Sequence, residues 1–406
     1  MTSDPLVGTL LDGRYRVENP IATGGMSTVY RGLDVRLDRP VALKVMDARY
    51  AGDQQFLARF HREARAIARL KDPGLVAIYD QGNDAAHPFL VMELIEGGTL
   101  RELLRERGPM PPHAMVAVLR PVLSGLGVAH RAGLVHRDVK PENVLISDDG
   151  EVKLVDFGLV RAIAEAGITS TSVILGTAAY LSPEQVTGAE TGPRSDVYSA
   201  GIMAFELLTG TVPFKGDSSL LVAHQRLDRD VPPPGSMIEG VPGELDEFIA
   251  RATARDPEER FADASEMGSA LSAIAEELAL PPFRVPAPRN SAQHAAATVN
   301  LRQRTEQVAA PGQTAVVPQP TRQFTSIAGP PADEPDYETV YESDPEDEIV
   351  AAPMQFAGID IDEFTLARQQ SRRAVVFWVV SVLVLTGLAA VAGWTIGLNF
   401  GGLIGR

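Results

Sequence analysis

Cysteine is absent from the 406-residue sequence. No disulfide can staple the chain and no thiolate can hold a metal, so its folded part has to rest on a hydrophobic core. The seven histidines are scattered, without metal-ligand spacing. Positive charge is short as well: 37 Lys and Arg against 53 Asp and Glu leave a net charge of −16. There is no basic arm and no cluster of aromatics among Lys or Arg, which argues against nucleic acid as a partner. Residues 1–13 lack the basic region and apolar run of a signal peptide, so no leader is expected there. Internal repeats are missing. Long apolar runs are missing too, with one exception close to the C-terminal end.

What the sequence does have is chemistry at fixed spacing. His136-Arg137-Asp138-Val139-Lys140-Pro141-Glu142-Asn143 reads H-R-D-x-x-x-x-N. In a loop after a helix, Asp138 can be aimed at an incoming hydroxyl while Asn143, five residues on, turns back toward a metal and phosphates. Thirteen residues later comes Asp156-Phe157-Gly158, whose carboxylate is a candidate second metal ligand beside Asn143. Upstream, Tyr15 to Glu18 alternates like a strand, and Ile21-Ala22-Thr23-Gly24-Gly25-Met26-Ser27-Thr28-Val29 forms a small-residue turn between two strands. Small residues let backbone amides approach phosphates closely. Val41-Ala42-Leu43-Lys44-Val45-Met46 is an apolar run broken by one Lys, which is costly to bury unless paired. Phe56, Phe60, Ala64, Ile67 and Leu70 mark an amphipathic helix, with Glu63 beside the stripe. Residues 75–79 and 89–94 read as two more strands, and 99–107 and 112–131 as helices.

These motifs resemble the eukaryotic-like (Hanks-type) Ser/Thr protein kinases over roughly residues 11–275. The stretch from Gly24 to Met46, the Thr169-Ser170-Thr171 spacing, the Gly176 to Gln185 ending and the single C-terminal apolar span are similar to those of actinobacterial membrane kinases. The resemblance implies an α+β, two-lobed fold with a small β-rich lobe and a large helical lobe. It implies phosphoryl transfer from ATP with Mg²⁺, or Mn²⁺ in its place, to Ser and Thr of protein substrates. Asp138 would orient the acceptor hydroxyl and Lys140 contact the transferred phosphate, while Asn143 and Asp156 hold metal. Lys44 would hold the α- and β-phosphates, paired with Glu63. ATP would lie against Ile21, Ala22, Thr23, Gly24, Gly25, Met26, Ser27, Thr28, Val29, Ala42 and Leu145, with the main chain of Glu93 and Ile95 bonding adenine behind Met92. Here the chain departs from G-x-G-x-x-G-x-V: Ala22 and Ser27 stand at the first and third glycines. Asp196 would brace the catalytic loop and Arg260 pair with Glu184. Thr169 and Thr171 are candidate phosphorylation sites, with Arg137 and Arg161 to receive the phosphate. Thr177 would serve shape and substrate selection. A homodimer and phosphothreonine-binding partners also lie within what the family implies.

Two other classes compete with this reading. A pseudokinase scaffold would bind nucleotide without transferring phosphate; the altered Gly-rich loop is the only hint of it. A dinucleotide-binding oxidoreductase needs its Gly-rich turn to open a helix, and here a strand follows.

The expected domain plan is an extension over 1–14, the kinase domain over 15–280 and a disordered juxtamembrane linker over 281–373. A transmembrane helix over 374–398 and a short external tail over 399–406 follow. The linker is rich in Pro, Gln, Ala and Thr, with an acidic run over 333–348, and has too little apolar surface to repay ordering. Residues 374–398 are uncharged; twenty-five of them span about 38 Å as a helix, enough for a bilayer core. Arg368, Arg372 and Arg373 precede the span and only Arg406 follows it. The positive-inside rule then puts the kinase domain in the cytoplasm and the C-terminus outside, as a single-pass protein of the cell membrane.

Overall fold

The computed structural model describes residues 4–84, 87–157, 179–216 and 218–294, plus two short strands, Gln355–Phe356 and Ile359–Asp360, which pair with each other. Gly158, Arg161, Thr169, Thr171 and Thr177 lie outside the described residues, as do most of the expected linker and all of the expected span and tail.

The first lobe is an antiparallel sheet of β1 (Leu10–Leu11), β2 (Tyr15–Thr23), β3 (Ser27–Asp34), β4 (Arg39–Met46), β5 (Ile78–Asp84) and β6 (His87–Met92), in the order β1-β2-β3-β4-β6-β5. In a strand, successive side chains point to opposite faces, and β4 shows what that does. Val41, Leu43 and Val45 face a small outer core with Tyr15, Val17, Tyr30, Phe89 and Val91. Ala42 and Met46 face the main core instead. Lys44 shares their parity, so alternation alone carries it to the side facing the second lobe.

Helix α1 (Gln54–Ile67) packs on that same side. Asp53 caps it by accepting from the N–H groups of Gln55 and Phe56, each at 3.0 Å, the usual remedy for orphaned amides at a helix start. Phe56, Phe60, Ala64 and Ile67 are buried, as their spacing of three and four requires.

Residues 75–79 do not form the expected strand. Leu75 and Val76 are buried next to Leu154 instead, and the strand runs over Ile78–Asp84. Its Asp80, Gln81, Asn83 and Asp84 hide it from a hydropathy reading. An edge strand tolerates such residues because one side faces solvent.

The second lobe begins at β7 (Gly97–Thr99) and α2 (Leu100–Arg107). Thr99 and Glu102 form a reciprocal capping box at the start of α2. Next comes α3 (Pro112–Arg131). It is long and apolar enough to cross a membrane, but about 72% of that stretch is buried, which makes it a core helix. The strands β8 (Val144–Ser147) and β9 (Val152–Leu154) complete a three-stranded sheet with β7. Helix α4 (Pro183–Thr187) is followed by α5 (Pro193–Thr209). Every residue of α5 from 195 to 209 is buried. A helix buried on all sides has to be a central pillar, and α3, α7 (Gly243–Ala252) and α8 (Ala264–Glu277) pack around it, with α6 (Ser219–Asp228) beside α4.

The expected end of the domain at 280 is not where packing stops. Residues 281–294 lie across the second lobe, with Val285 and Ser291 buried. Phe283 packs edge-on against His113 at 5.1 Å.

Candidate active site

The catalytic-loop motif is held from behind by one carboxylate. Asp196, fully buried at the start of α5, accepts from the backbone N–H groups of His136 and Arg137, each at 2.7 Å, and pairs with His130 Nε2 at 2.8 Å. His130 Nδ1 accepts from the N–H of Ala264 at 3.2 Å, so its proton must sit on Nε2, facing Asp196. The same logic orients His136. Its Nε2 lies 2.9 Å from the carbonyl of Val155, while Nδ1 accepts from the N–H of Asp138 at 3.3 Å. His136 thereby ties the 136–138 turn to the strand end that leads into Asp156. Arg137 and Asp156 both have positive φ, 67° and 61°, a sparsely populated region for non-glycine residues that concentrates at functional sites.

Asp138 sits where these constraints meet. One oxygen, Oδ2, receives Lys140 Nζ at 2.8 Å and Asn143 Nδ2 at 2.9 Å. Asn143 Nδ2 also bonds the carbonyl of Asp138 at 2.7 Å. The other oxygen, Oδ1, is buried with no hydrogen-bond partner. An unfilled buried acceptor is costly unless something else supplies the proton. The Asn143 nitrogen being engaged, its amide oxygen is the atom left to coordinate a cation.

Lys44 is almost wholly buried, and the carboxylate that meets it is Asp156, at 2.7 Å, where the sequence reading put Glu63. Any nearby carboxylate would serve a buried ammonium, and the left-handed turn at Asp156 accompanies that approach. Packing of the lobes around Asp156 pushes its carboxyl up, but Lys44 above all, with Lys140, outweighs this and holds it below the usual carboxylate range. Glu63 lines a small cavity with Ile67, Leu134, Arg137 and Phe157.

The nucleotide residues of the sequence reading fall on three elements. Ile21, Ala22 and Thr23 end β2, Ser27, Thr28 and Val29 begin β3, and Gly24 and Gly25 turn between them, with Gly24 N–H on the carbonyl of Ser27 at 2.9 Å. Gly24 has no positive φ, and an added Cβ would meet nothing closer than 3.5 Å. Neither turn geometry nor crowding demands glycine there. Met26 departs from the rest: its side chain is in the core and its carbonyl accepts from Asp47 N–H. Ala42, Met92 and Ile95 are buried and Val29 and Leu145 partly so. Glu93 spends its N–H on the carbonyl of Ala77 at 2.9 Å, so its main-chain donor is already engaged.

No group of three or more acidic or histidine side chains suited to a metal occurs among the described residues. A Mg²⁺ that keeps waters and binds substrate phosphates takes only one or two protein ligands. Asn143, bonded to Asp138, and Asp156, paired with Lys44, are the candidates for that role.

Two braces surround the site. Arg260 forks onto both oxygens of Glu184 at 2.9 and 3.0 Å, and Ser195 Oγ donates to the same carboxylate at 2.7 Å. Burial raises the Glu184 carboxyl, but Arg260 and Ser195 more than offset this and leave it lowered. The second brace escaped the sequence reading. Arg101 of α2 reaches Glu142 at 2.8 Å, Glu206 at 2.6 Å and the hydroxyl of Tyr180, which also bonds Glu206. Burial, then Glu206, pushes the Tyr180 hydroxyl far above its ordinary value. No short-range pattern links these four positions. Arg226 is buried, with no carboxylate partner among the described residues; it donates to the carbonyls of Leu181 and Ala179, and burial lowers its pKa.

Comparison with known proteins gives a consistent result. Residues 15–271 match the protein kinase domain family. The chain is 65% identical over 405 residues to the serine/threonine-protein kinase PknL of Mycobacterium bovis and to that of Mycobacterium tuberculosis, with 99% of each chain covered. It is 43% identical over 266 residues to PknB of Mycobacterium leprae, covering 64% of this chain and 43% of that one. Among solved structures, the Mycobacterium tuberculosis PknI kinase domain aligns with a TM-score of 0.53 and 26% identity, over 67% of this chain and 99% of that one.

Proposed function

The chain belongs to the protein kinase family and is a serine/threonine protein kinase; from that premise we propose that it is a membrane-anchored enzyme whose activity is set by autophosphorylation of its own activation segment. The observation that carries the chemical part is the buried, partnerless Oδ1 of Asp138. A substrate hydroxyl approaching the site donates its hydrogen bond to that oxygen. Lys140 and Asn143 occupy the other oxygen, so the carboxylate cannot turn away. Asp138 orients the hydroxyl and takes its proton as the oxygen attacks the γ-phosphorus.

Transfer is mostly a matter of position and charge. Lys44 and Lys140 bring positive charge to the phosphates. Mg²⁺, when bound, neutralises charge on the phosphate oxygens, and Asn143 and Asp156 are the residues to hold it. For ATP to bind, Lys44 has to share or exchange its present partner, Asp156. Glu63, one helix away, is the replacement carboxylate.

The anchor is residues 374–398, on the strength of their length, lack of charge and flanking arginines. The segment between the domain and the span acts as a tether. Thr169 and Thr171 are the proposed autophosphorylation sites, because Thr and Ser cluster there, and Arg137 and Arg161 are the proposed receivers of the phosphate. Incubation of the full chain in detergent with ATP and Mg²⁺, followed by phosphopeptide mapping, tests the proposal. Phosphate on Thr or Ser, with Thr169 or Thr171 among the sites, is the expected result. Nucleotide binding without any transfer would favour a scaffold instead.

A further inference from the structure

Residues 281–294 have the composition of a linker and the contacts of a structural element. Val285 anchors them in the core, and the guanidinium of Arg284 lies on the carbonyl of Asp149 at 2.9 Å. The N–H groups of Arg289 and Asn290 converge on Glu106, at 2.7 and 3.3 Å, and that of Ala292 reaches Glu102 at 3.0 Å. Both acids belong to α2. At the centre is Ser291, buried, whose hydroxyl donates to the carbonyl of Gly97 at 2.5 Å and accepts from the N–H of His294 at 3.0 Å.

Gly97 and Gly98 come two and three positions after Ile95, which with Glu93 is assigned to adenine. The strap explains the second of these glycines. A Cβ on Gly98 would lie 2.5 Å from Pro288, 2.7 Å from Ser291 and 2.8 Å from Glu102, so the strap fills the space a side chain would need. Gly97, at φ 150°, is pressed on its other side by the carbonyl of Ile146. The crossover between the lobes is thus held between β8 and the strap. A second tie runs beside it, from Asp148 N–H to the carbonyl of Glu96 at 2.8 Å, and His294 Nε2 reaches Asp148 at 3.1 Å.

We infer that residues 281–294 are a working part of the catalytic domain, and that Ser291 is a positioning residue that sets the crossover for nucleotide binding. Ser291 touches no substrate; it acts through Gly97 on the main chain of Glu93–Ile95. The inference rests on the kinase reading of the site. Its consequence is that the enzyme's boundary falls after 294 and not at 280.

The test uses the full chain in detergent, with Ser291→Ala and Ser291→Glu. Loss of one buried neutral hydrogen bond should raise KM for ATP by about three- to tenfold in Ser291→Ala while kcat stays within about twofold. The Glu variant drives a carboxylate against the Gly97 carbonyl and should raise KM further. Hydrogen exchange read on the same proteins should quicken at residues 93–99 in both. A strap that only adds bulk stability would shift the melting temperature and leave KM where it was. Wild-type KM and wild-type exchange at 93–99 in Ser291→Ala would overturn the inference, even if the Glu variant fails to fold. A wild-type chain that transfers no phosphate would instead refute the kinase reading, and the exchange comparison would still judge the strap.

Discussion

Replacing Asp196 by Ala should do more damage than any other single change away from the reacting atoms. The carboxylate is fully buried and accepts from three donors: His136 N–H, Arg137 N–H and His130 Nε2, at 2.7, 2.7 and 2.8 Å. Alanine leaves all three unpaired. An orphaned buried donor costs roughly 1–3 kcal/mol, and water entering the small space left behind recovers part of that. A net loss of about 3–6 kcal/mol follows. At roughly 2–4 °C per kcal/mol for a domain somewhat below this size, the melting temperature should fall by about 6–24 °C. The damage should also be directional. His136 and Arg137 precede Asp138, so the loop loses its rear support before the rest of the lobe unfolds. Calorimetry or thermal fluorescence on full-length protein gives the first number. Hydrogen exchange at 136–138, below the melting temperature, gives the second. A shift under about 2 °C with unchanged protection of these amides would refute the idea that one carboxylate holds the loop.

The Glu184–Arg260 brace makes a pH prediction. The folded carboxyl lies below its ordinary value, so its contribution is fully present above the unfolded carboxyl pKa of about 4.3 and is lost as pH falls through the folded value; Glu184→Gln should lower stability at neutral pH, where it leaves buried Arg260 without its carboxylate, and flatten the acid limb of the stability curve, and an unchanged acid limb would contradict it. Autophosphorylation at Thr169 and Thr171 is to be checked with the double Ala variant, which should lose most of its activity toward added substrate; full activity would dismiss the switch. For topology, protease added outside intact cells should spare the kinase domain, and its digestion would reverse the proposed orientation.

How much of this was legible in the sequence depends on the kind of interaction. Alternation in β4 put Lys44 on the correct face, and spacing of three and four marked the buried face of α1. The Asp196 and Glu184–Arg260 braces came from the family pattern and recur in the structure as read. Partner choice was not legible: Lys44 and Asp156 are 112 positions apart, and nothing local ranks Asp156 above Glu63 as the contact. The strand over Ile78–Asp84 was misjudged by its polar residues. The strap was missed for a related reason. Apart from Phe283 and Val285 it is held mainly by backbone N–H groups on Glu102 and Glu106 and by one serine hydroxyl. None of those leaves a trace in hydropathy, and its prolines read as linker.

The central claim is that Asp138, with Oδ1 left open for a hydroxyl, is the base of a phosphoryl transfer. Asp138→Asn keeps the size of the side chain and its place beside Asn143 while removing the negative charge. ATP binding by the variant, followed by calorimetry, should stay within about threefold of wild type, while the single-turnover rate of phosphate transfer to Ser or Thr should fall by at least about 10². A variant that binds ATP and transfers phosphate at the wild-type rate would contradict the account.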